Sequence, residues 1–431
     1  MGPATKKRTA TKKIPELRDY DVHPVTGFLP SEPLPLQRLP GTFYEAWELV
    51  LDDLQRLLLA GRLRERVRQL PLLDVSHLKT LREWQRAYLV LSFLGQGYIW
   101  GKNEAAEEKV PKCIAIPWLQ VCDKLDVKPI ISYAGVELYN FKLLDPTAPW
   151  DLSNLSILHT FSGGMDEAWF FLVSIAIEPL ALLLFLQLSR HCTQLKEALT
   201  SIAEVTEKLK GILVRMYEKT DAHVFFNRVR PYMNGWENSE DLPNGVLYEG
   251  VLASKNGVPN GIKTDLGVYG KYAGGSAGQS TLIHVLDAAL DIVHAPMRGS
   301  DPTKVINFIH EMRNYMPGPH RKFVYAISDS YSIRDFVENL APSARTTELV
   351  SLFNKCVEGM KAFRNIHIQM VSVYIVSQAN KRKDVGNAGI PAEVQTERLQ
   401  NGLMARGTGG TNLIPFLKQS RDETSAAQIQ Q

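Results

Sequence analysis

The chain has 431 residues, 45% apolar and 22% charged, an ordinary globular composition at a length where one compact core gives way to two domains. Its formal charge of +3 includes +5 from Lys6, Lys7, Arg8, Lys12 and Lys13; subtracting that tail leaves the body at −2, which excludes a basic surface built for nucleic acid. Cys113, Cys122, Cys192 and Cys356 show neither CxxC nor CxxCH spacing, which argues against structural zinc, covalently attached haem and a disulfide framework and fits a reducing, cytoplasmic compartment.

The opening "MGPATKKRTATKK" reads as a solvated basic tail, residues 1–15, and Lys6 stands where a myristoylation signal needs a hydroxyl. No signal peptide is read in it. "GFLPSEPLPLQRLP" (27–40) is proline-rich and is expected to wrap over a surface. Amphipathic helical patterns follow at 43–70, with Gly61 as a stop, at 78–101, with Trp84, Phe93, Tyr98 and Trp100 for packing, and at 110–127. Short apolar runs broken by prolines fill 129–160 and read as a connection, placing a boundary near 160 between a small domain (16–160) and a large one (161–431).

"WFFLVSIAIEPLALLLFLQL" (169–188) is long enough to cross a bilayer, but Glu178 and Pro179 sit at its centre. A helix buried on all sides, kinked at Pro179, is the better reading, and no membrane is expected. Next come an amphipathic helix at 195–220, a glycine- and asparagine-rich loop at 234–275, and helices at 279–295, 302–314, 331–339 and 346–376. The polar segment 377–410 is expected to be mobile in part, and the chain to end in a polar tail. Strand patterns are scarce, so the fold class is all-α.

In "FRNIHIQMVSVYI" the residues Phe363, His367, Met370 and Tyr374 form one helical stripe. A histidine on such a stripe is commonly a hydrogen-bonded core residue. Neighbouring turns carry no second zinc ligand, whereas a haem iron needs only one from the protein, so zinc is unsupported and haem is compatible. Arg364 could pair with a haem propionate or form an interhelical ion pair. "YAGGSAGQS" (272–280) and "ARGTGGTN" (405–412) could present backbone amides to a ligand or be flexible turns; neither is a nucleotide-phosphate motif. In "HVFFNRVRPYMNGW", Phe226 and Arg230 share a helix face beside Phe225, an aromatic wall with a carboxylate grip, or packing with a salt bridge. Ser174 either bonds back to the carbonyl four residues earlier or is the hydroxyl of a pocket.

Taken together, and from about residue 20 to about 420, these pieces resemble the indoleamine 2,3-dioxygenase family. "GFLP", "LPLL", "LSFLGQGYIW" and "LDVKPIISYAGVELYNF" are similar to its small domain. "FFLVS", "RPYMNGW", "YEGV", "AGGSAGQS", "MRNYMPGPHRKF", "RNIHIQMVSVYI" and "GTGGTNLIPFLK" follow in the order of its haem domain. The resemblance implies that His367 is the proximal ligand of haem b, with Arg364 and Asp287 beside it and Gly275 and Ser276 along the cofactor. It implies that Ser174 is the distal serine and that Arg230 clamps the substrate carboxylate. Tyr133, Phe225, Phe226, Ser276, Ala277 and Thr408 would line the substrate site, and Gly407 to Thr411 would close on substrate. Asn234 departs from a serine of vertebrate members.

The activity implied is cleavage of the indole C2–C3 bond of L-tryptophan by O₂ to give N-formylkynurenine. That reaction opens the kynurenine pathway towards NAD and needs an electron donor to keep iron ferrous. A monomer is expected, with no nucleic-acid partner. The alternatives are a haem-based oxygen carrier or sensor on the same fold and a colourless helical interaction protein.

Overall fold

The computed structural model describes residues 15–181, 195–251, 262–298, 305–386, 407–408 and 413–430, with positions 103 and 331 left out. The expectations for the basic tail, Cys192, the second half of the apolar run and most of 377–410 lie outside the described residues.

The 43–70 pattern forms three short helices, α1 (Glu45–Asp52), α2 (Leu54–Leu59) and α3 (Leu63–Arg68), and Gly61 turns between the last two at φ +66°. They pack on α4 (Leu81–Trp100), whose first turn is closed by Thr80 Oγ1 accepting from Glu83 N at 3.3 Å. From Gln85 to Trp100 every residue of α4 is buried, which makes it the axis of the N-terminal half. Its partners include α5 (Lys112–Leu125), whose Trp118 ring occupies the space a side chain at Gly95 would need. A buried ion pair ties α4 to α1: Arg86 Nε and Nη2 donate to the two oxygens of Glu48 at 3.0 and 2.6 Å.

Residues 129–160 are not the bare connection expected. They form a wide turn of helix at Ala134–Leu138 and an antiparallel hairpin, β2 (Phe141–Leu143) with β3 (Leu155–Ile157). Prolines and Asp-Pro interrupt the pattern, but Ile130, Ile131, Val136 and Phe141 all enter the core, and that burial decides the path.

The apolar run forms α6 (Met165–Ile177), which gives way at Glu178–Leu180 to one tighter turn where a kink was expected. No described helix is long and apolar enough to cross a membrane. The amphipathic pattern after it is α7 (Leu195–Val214). The short α8 (Arg230–Met233) follows the wide turn Phe225–Val229; Pro231 has no N–H to continue the helical ladder, and the turn ahead of it loosens.

The stretch 234–275, expected as loop, carries β4 (Val246–Glu249), β5 (Lys263–Thr264) and β6 (Gly267–Gly270). With β1 (Lys109–Val110) parallel to β4 they make a small sheet ordered β1-β4-β6-β5. Then come α9 (Thr281–Ala289) and α10 (Gly318–Ser330), the latter unforeseen because Pro317 and Pro319 mask a start that prolines tolerate in a first turn.

The long α11 (Ala344–Val371) widens at Ser372–Val376 and continues as helix to Gly386, ten residues beyond the expected end. The polar C-terminal tail is a further helix, α12 (Leu413–Ala426), lying along α11. Thr424 is buried there because its hydroxyl is satisfied by Ser420 O at 2.8 Å. Helix dominates and the strands are short, so the class is all-α. One continuous apolar core runs from Val22 to Ile429.

Candidate active site

His367 is half-buried on α11, and burial, and after it the Arg364 charge, push its imidazole down to about 4. It is neutral at ordinary pH, and no hydrogen bond to it forms among the described residues. A core histidine is normally paired. This one keeps accessible surface, as do Phe363 to Ile368 around it. A neutral imidazole with a free nitrogen is a ready metal ligand.

One turn earlier, Arg364 Nη2 donates to both oxygens of Asp287, on α9, at 2.6 and 2.8 Å. Its Nε is buried without a partner among the described residues, a donor that could serve a ligand anion. The pair is part of a longer chain: His294 contacts Asp287 Oδ2 at 3.1 Å through Nε2 and Glu423 Oε2, on α12, at 2.7 Å through Nδ1. Burial opposes charge on Asp287, but Arg364 and His294 outweigh it and hold the carboxyl far below its ordinary range. Burial also opposes charge on His294, and Asp287 with Glu423 outweighs it and raises that imidazole.

Ser174 is half-buried on an otherwise buried stretch of α6, and its hydroxyl donates to Phe170 O at a long 3.4 Å. Phe170 meets Phe225 with ring centroids 4.6 Å apart, and Phe225 meets Tyr374 edge-on at 5.7 Å. Tyr374 lies seven residues beyond His367, in the widened turn that follows α11. Phe226 packs with Ile375 and Ala379, and the Arg230 guanidinium lies 5.7 Å from its ring centre. Burial lowers Arg230 to about 10, which leaves it cationic near neutrality.

Tyr133 closes one side. Its hydroxyl donates to Glu178 Oε1 at 2.7 Å and lies 3.3 Å from Ser174 O, and Ser280 Oγ donates to the same Glu178 oxygen at 2.7 Å. Gln279 Oε1 accepts from Tyr133 N at 2.9 Å while its amide nitrogen donates to Gly274 O at 2.9 Å, fixing the glycine loop against the pocket. Thr408 docks on that loop: its hydroxyl donates to Gly275 O at 2.8 Å, and its carbonyl accepts from Gly274 N at 3.1 Å and Gly235 N at 3.3 Å. Ser276 instead caps the turn that follows, accepting from Gly278 N at 3.1 Å, and Ala277 is exposed; neither hydrogen-bonds to another candidate among the described residues. Of Gly407 to Thr411, only Gly407 and Thr408 are described.

A Cβ on Gly274 would stand 2.0 Å from Met233 O and 2.4 Å from Gly235 N, both backbone, whereas one on Gly275 meets nothing closer than 3.6 Å. Gly274→Ala is therefore expected to destabilise by roughly 1–3 kcal/mol and Gly275→Ala to be close to neutral, as read by urea unfolding.

Sequence reasoning did not assign Glu178, Gln279, His294 or Glu423. Only Glu178 left a signal, a lone carboxyl inside an apolar run. Burial lifts it to about 7, with the Ser280 and Tyr133 hydrogen bonds pulling the other way. The folded state thus binds a proton that the unfolded chain releases near 4.5. That contribution is full below the unfolded value and is lost as pH rises through about 7. Glu178→Gln is expected to flatten the fall in urea midpoint from about pH 5 to about pH 8. Glu137, raised by burial and then by Glu178, leaves a residual slope.

A family model described as indoleamine 2,3-dioxygenase matches residues 16–427. The chain is 32% identical to the indoleamine 2,3-dioxygenase of Saccharomyces cerevisiae, over 99% of its own length and 96% of that protein. It is 34% identical to indoleamine 2,3-dioxygenase 1 of Rattus norvegicus, with 95% of each covered. To an indoleamine 2,3-dioxygenase of Aspergillus candidus it is 33% identical, over 95% of this chain and 96% of that one.

Proposed function

The chain belongs to the indoleamine 2,3-dioxygenase family of oxidoreductases, and from that premise we propose that it inserts both atoms of O₂ across the indole C2–C3 bond of L-tryptophan, giving N-formylkynurenine, with haem b held by His367. The observation that carries the reading is His367 itself: a neutral imidazole with no hydrogen-bond partner among the described residues, one helical turn from the Arg364–Asp287 pair. No group of three or more metal-ligating side chains occurs among the described residues, and a porphyrin iron requires none. Arg364, braced by Asp287, has a spare buried N–H for a propionate, so the residues fit the cofactor.

Ferrous haem, when bound, supplies the oxygen-activating centre, and an electron donor keeps it reduced. The remaining work falls to the chain. Arg230 binds the tryptophan carboxylate and sets the direction in which the indole enters. Phe225 and Phe170 give the ring flat surfaces and exclude water. Ser174 offers a weakly bound hydroxyl at the reacting face. Thr408, docked on Gly235 and Gly274, borders the same site.

The scattered cysteines, with Cys113, Cys122 and Cys356 free and buried, support a cytoplasmic setting, where the product would feed the kynurenine pathway. A haem-based oxygen carrier would account for His367 but not for a buried guanidinium beside Phe226. The test is aerobic incubation of reduced, haem-loaded protein with L-tryptophan under ¹⁸O₂. A product carrying two labelled oxygens is expected; reversible oxygen binding with tryptophan untouched would move the reading to the carrier.

A further inference from the structure

Gln96 is fully buried in α4, the axis of the N-terminal half, yet its amide reaches the turn that follows Arg230. Nε2 donates to Tyr232 O and to Asn234 O, each at 2.8 Å, and Trp100 Nε1, one helical turn further on, donates to Asn234 O at 3.0 Å. These are carbonyls that a helix leaves unsatisfied at its C-terminal end. Here α8 is four residues long and the chain leaves it in extended conformation at Asn234, ψ 138°, so the cap has to come from elsewhere. On the same face of α4, Phe93 stacks on Phe161 at 4.6 Å, and Phe161 stacks on Tyr232 at 4.6 Å with rings 5° from parallel. Residues two and four beyond Arg230 are thus pinned to α4, and the element carrying Arg230 takes its orientation from them.

The arrangement is not the one stability alone would select. Gln96 Oε1 is buried with no partner among the described residues, an acceptor left unmade so that both N–H groups can serve carbonyls of one short turn. The held atom of residue 234 is its backbone oxygen, so an asparagine side chain there leaves the grip intact.

We propose that Gln96, assisted by Trp100, is a positioning residue that sets the enzyme's discrimination for a substrate carboxylate by orienting Arg230. The inference rests on the reading of Arg230 as the carboxylate-binding residue, and the test separates the two. L-tryptophan and tryptamine differ only in the carboxylate, so the ratio of their kcat/KM values, with calorimetric affinities for both, reports the grip on that group. The haem-loaded full chain is compared as wild type, Gln96→Met, Trp100→Phe and Arg230→Leu.

Gln96→Met keeps the volume and removes both donors. It is expected to lower the ratio about tenfold through KM for L-tryptophan, with tryptamine affinity unchanged, as one misaligned charge-assisted contact would. Trp100→Phe is expected to lower it in the same direction by less. An unchanged ratio in Gln96→Met, or an equal fall for both ligands, overturns the inference while a collapsed ratio in Arg230→Leu leaves the function standing. If Arg230→Leu keeps the wild-type ratio, the premise fails and the inference with it. Should Gln96→Met not fold, Trp100→Phe decides: a lowered ratio supports the inference and an unchanged one overturns it.

Discussion

His367→Ala is expected to yield a folded protein that does not retain haem. The imidazole makes no hydrogen bond among the described residues, so its removal costs the fold little beyond partly buried area. Helical circular dichroism should stay close to wild type while the Soret band is lost. The deficit in affinity should exceed the roughly 10–100-fold that changes around a metal ligand cause, because here the bond to iron itself is gone. His367→Gly with added imidazole should recover part of the band, since the space the side chain vacates can hold the free ring. Full haem occupancy with an unaltered ferrous spectrum in His367→Ala would falsify the ligand assignment. Asp287→Asn makes a graded comparison: it leaves His367 in place but removes the charge facing Arg364, so haem affinity should fall by less.

How far the sequence could be read depended on the distance over which each feature is decided. Phe363, His367 and Met370 lie within one helix, and a period of 3.6 residues exposes their stripe without tertiary information; Tyr374, its fourth member, falls in the widened turn just beyond. The same holds for Phe226 and Arg230, whose contact survives the widened turn between them. What local pattern could not show is whether His367 is paired, because that depends on what the rest of the chain puts opposite it. The pairing of His294 with Glu423 spans 129 residues, and Gln96 reaches Asn234 across 138; no periodicity encodes either. The small sheet was missed for a related reason. Its strands are two to four residues long, shorter than any alternation that could be counted, and β1 pairs with a segment of the other half of the chain. Helix α10 was missed because prolines that start a helix look, in one dimension, like prolines that break one. Glu178 was visible only as an argument against a membrane span. Its role in joining Tyr133 and Ser280 is a property of three elements meeting.

Arg230→Leu is expected to lower kcat/KM for L-tryptophan by about 2–4 kcal/mol of transition-state binding, roughly 30- to 1000-fold, with haem content unchanged. Arg230 is 6% exposed, and burial alone lowers its pKa to about 10. In that environment a charge-assisted contact to an arriving carboxylate is stronger than in water. Leucine removes that contact along with the one to Phe226. Arg230→Lys should recover only part of the loss, because an ammonium keeps the charge without the two-pronged fork that matches a carboxylate. The pH profile separates this residue from its neighbours. A group that loses its proton at about 10 does not titrate across the neutral range, so the fold-loss in Arg230→Leu should be constant from about pH 6 to about pH 8. Any inflection of wild-type activity in that window must come from other groups: Glu178, lifted to about 7 and bonded to the tyrosine that touches Ser174, and His294, raised against burial by Asp287 and Glu423. Glu178→Gln should shrink the inflection and keep the dependence on the substrate carboxylate; Arg230→Leu should do the reverse.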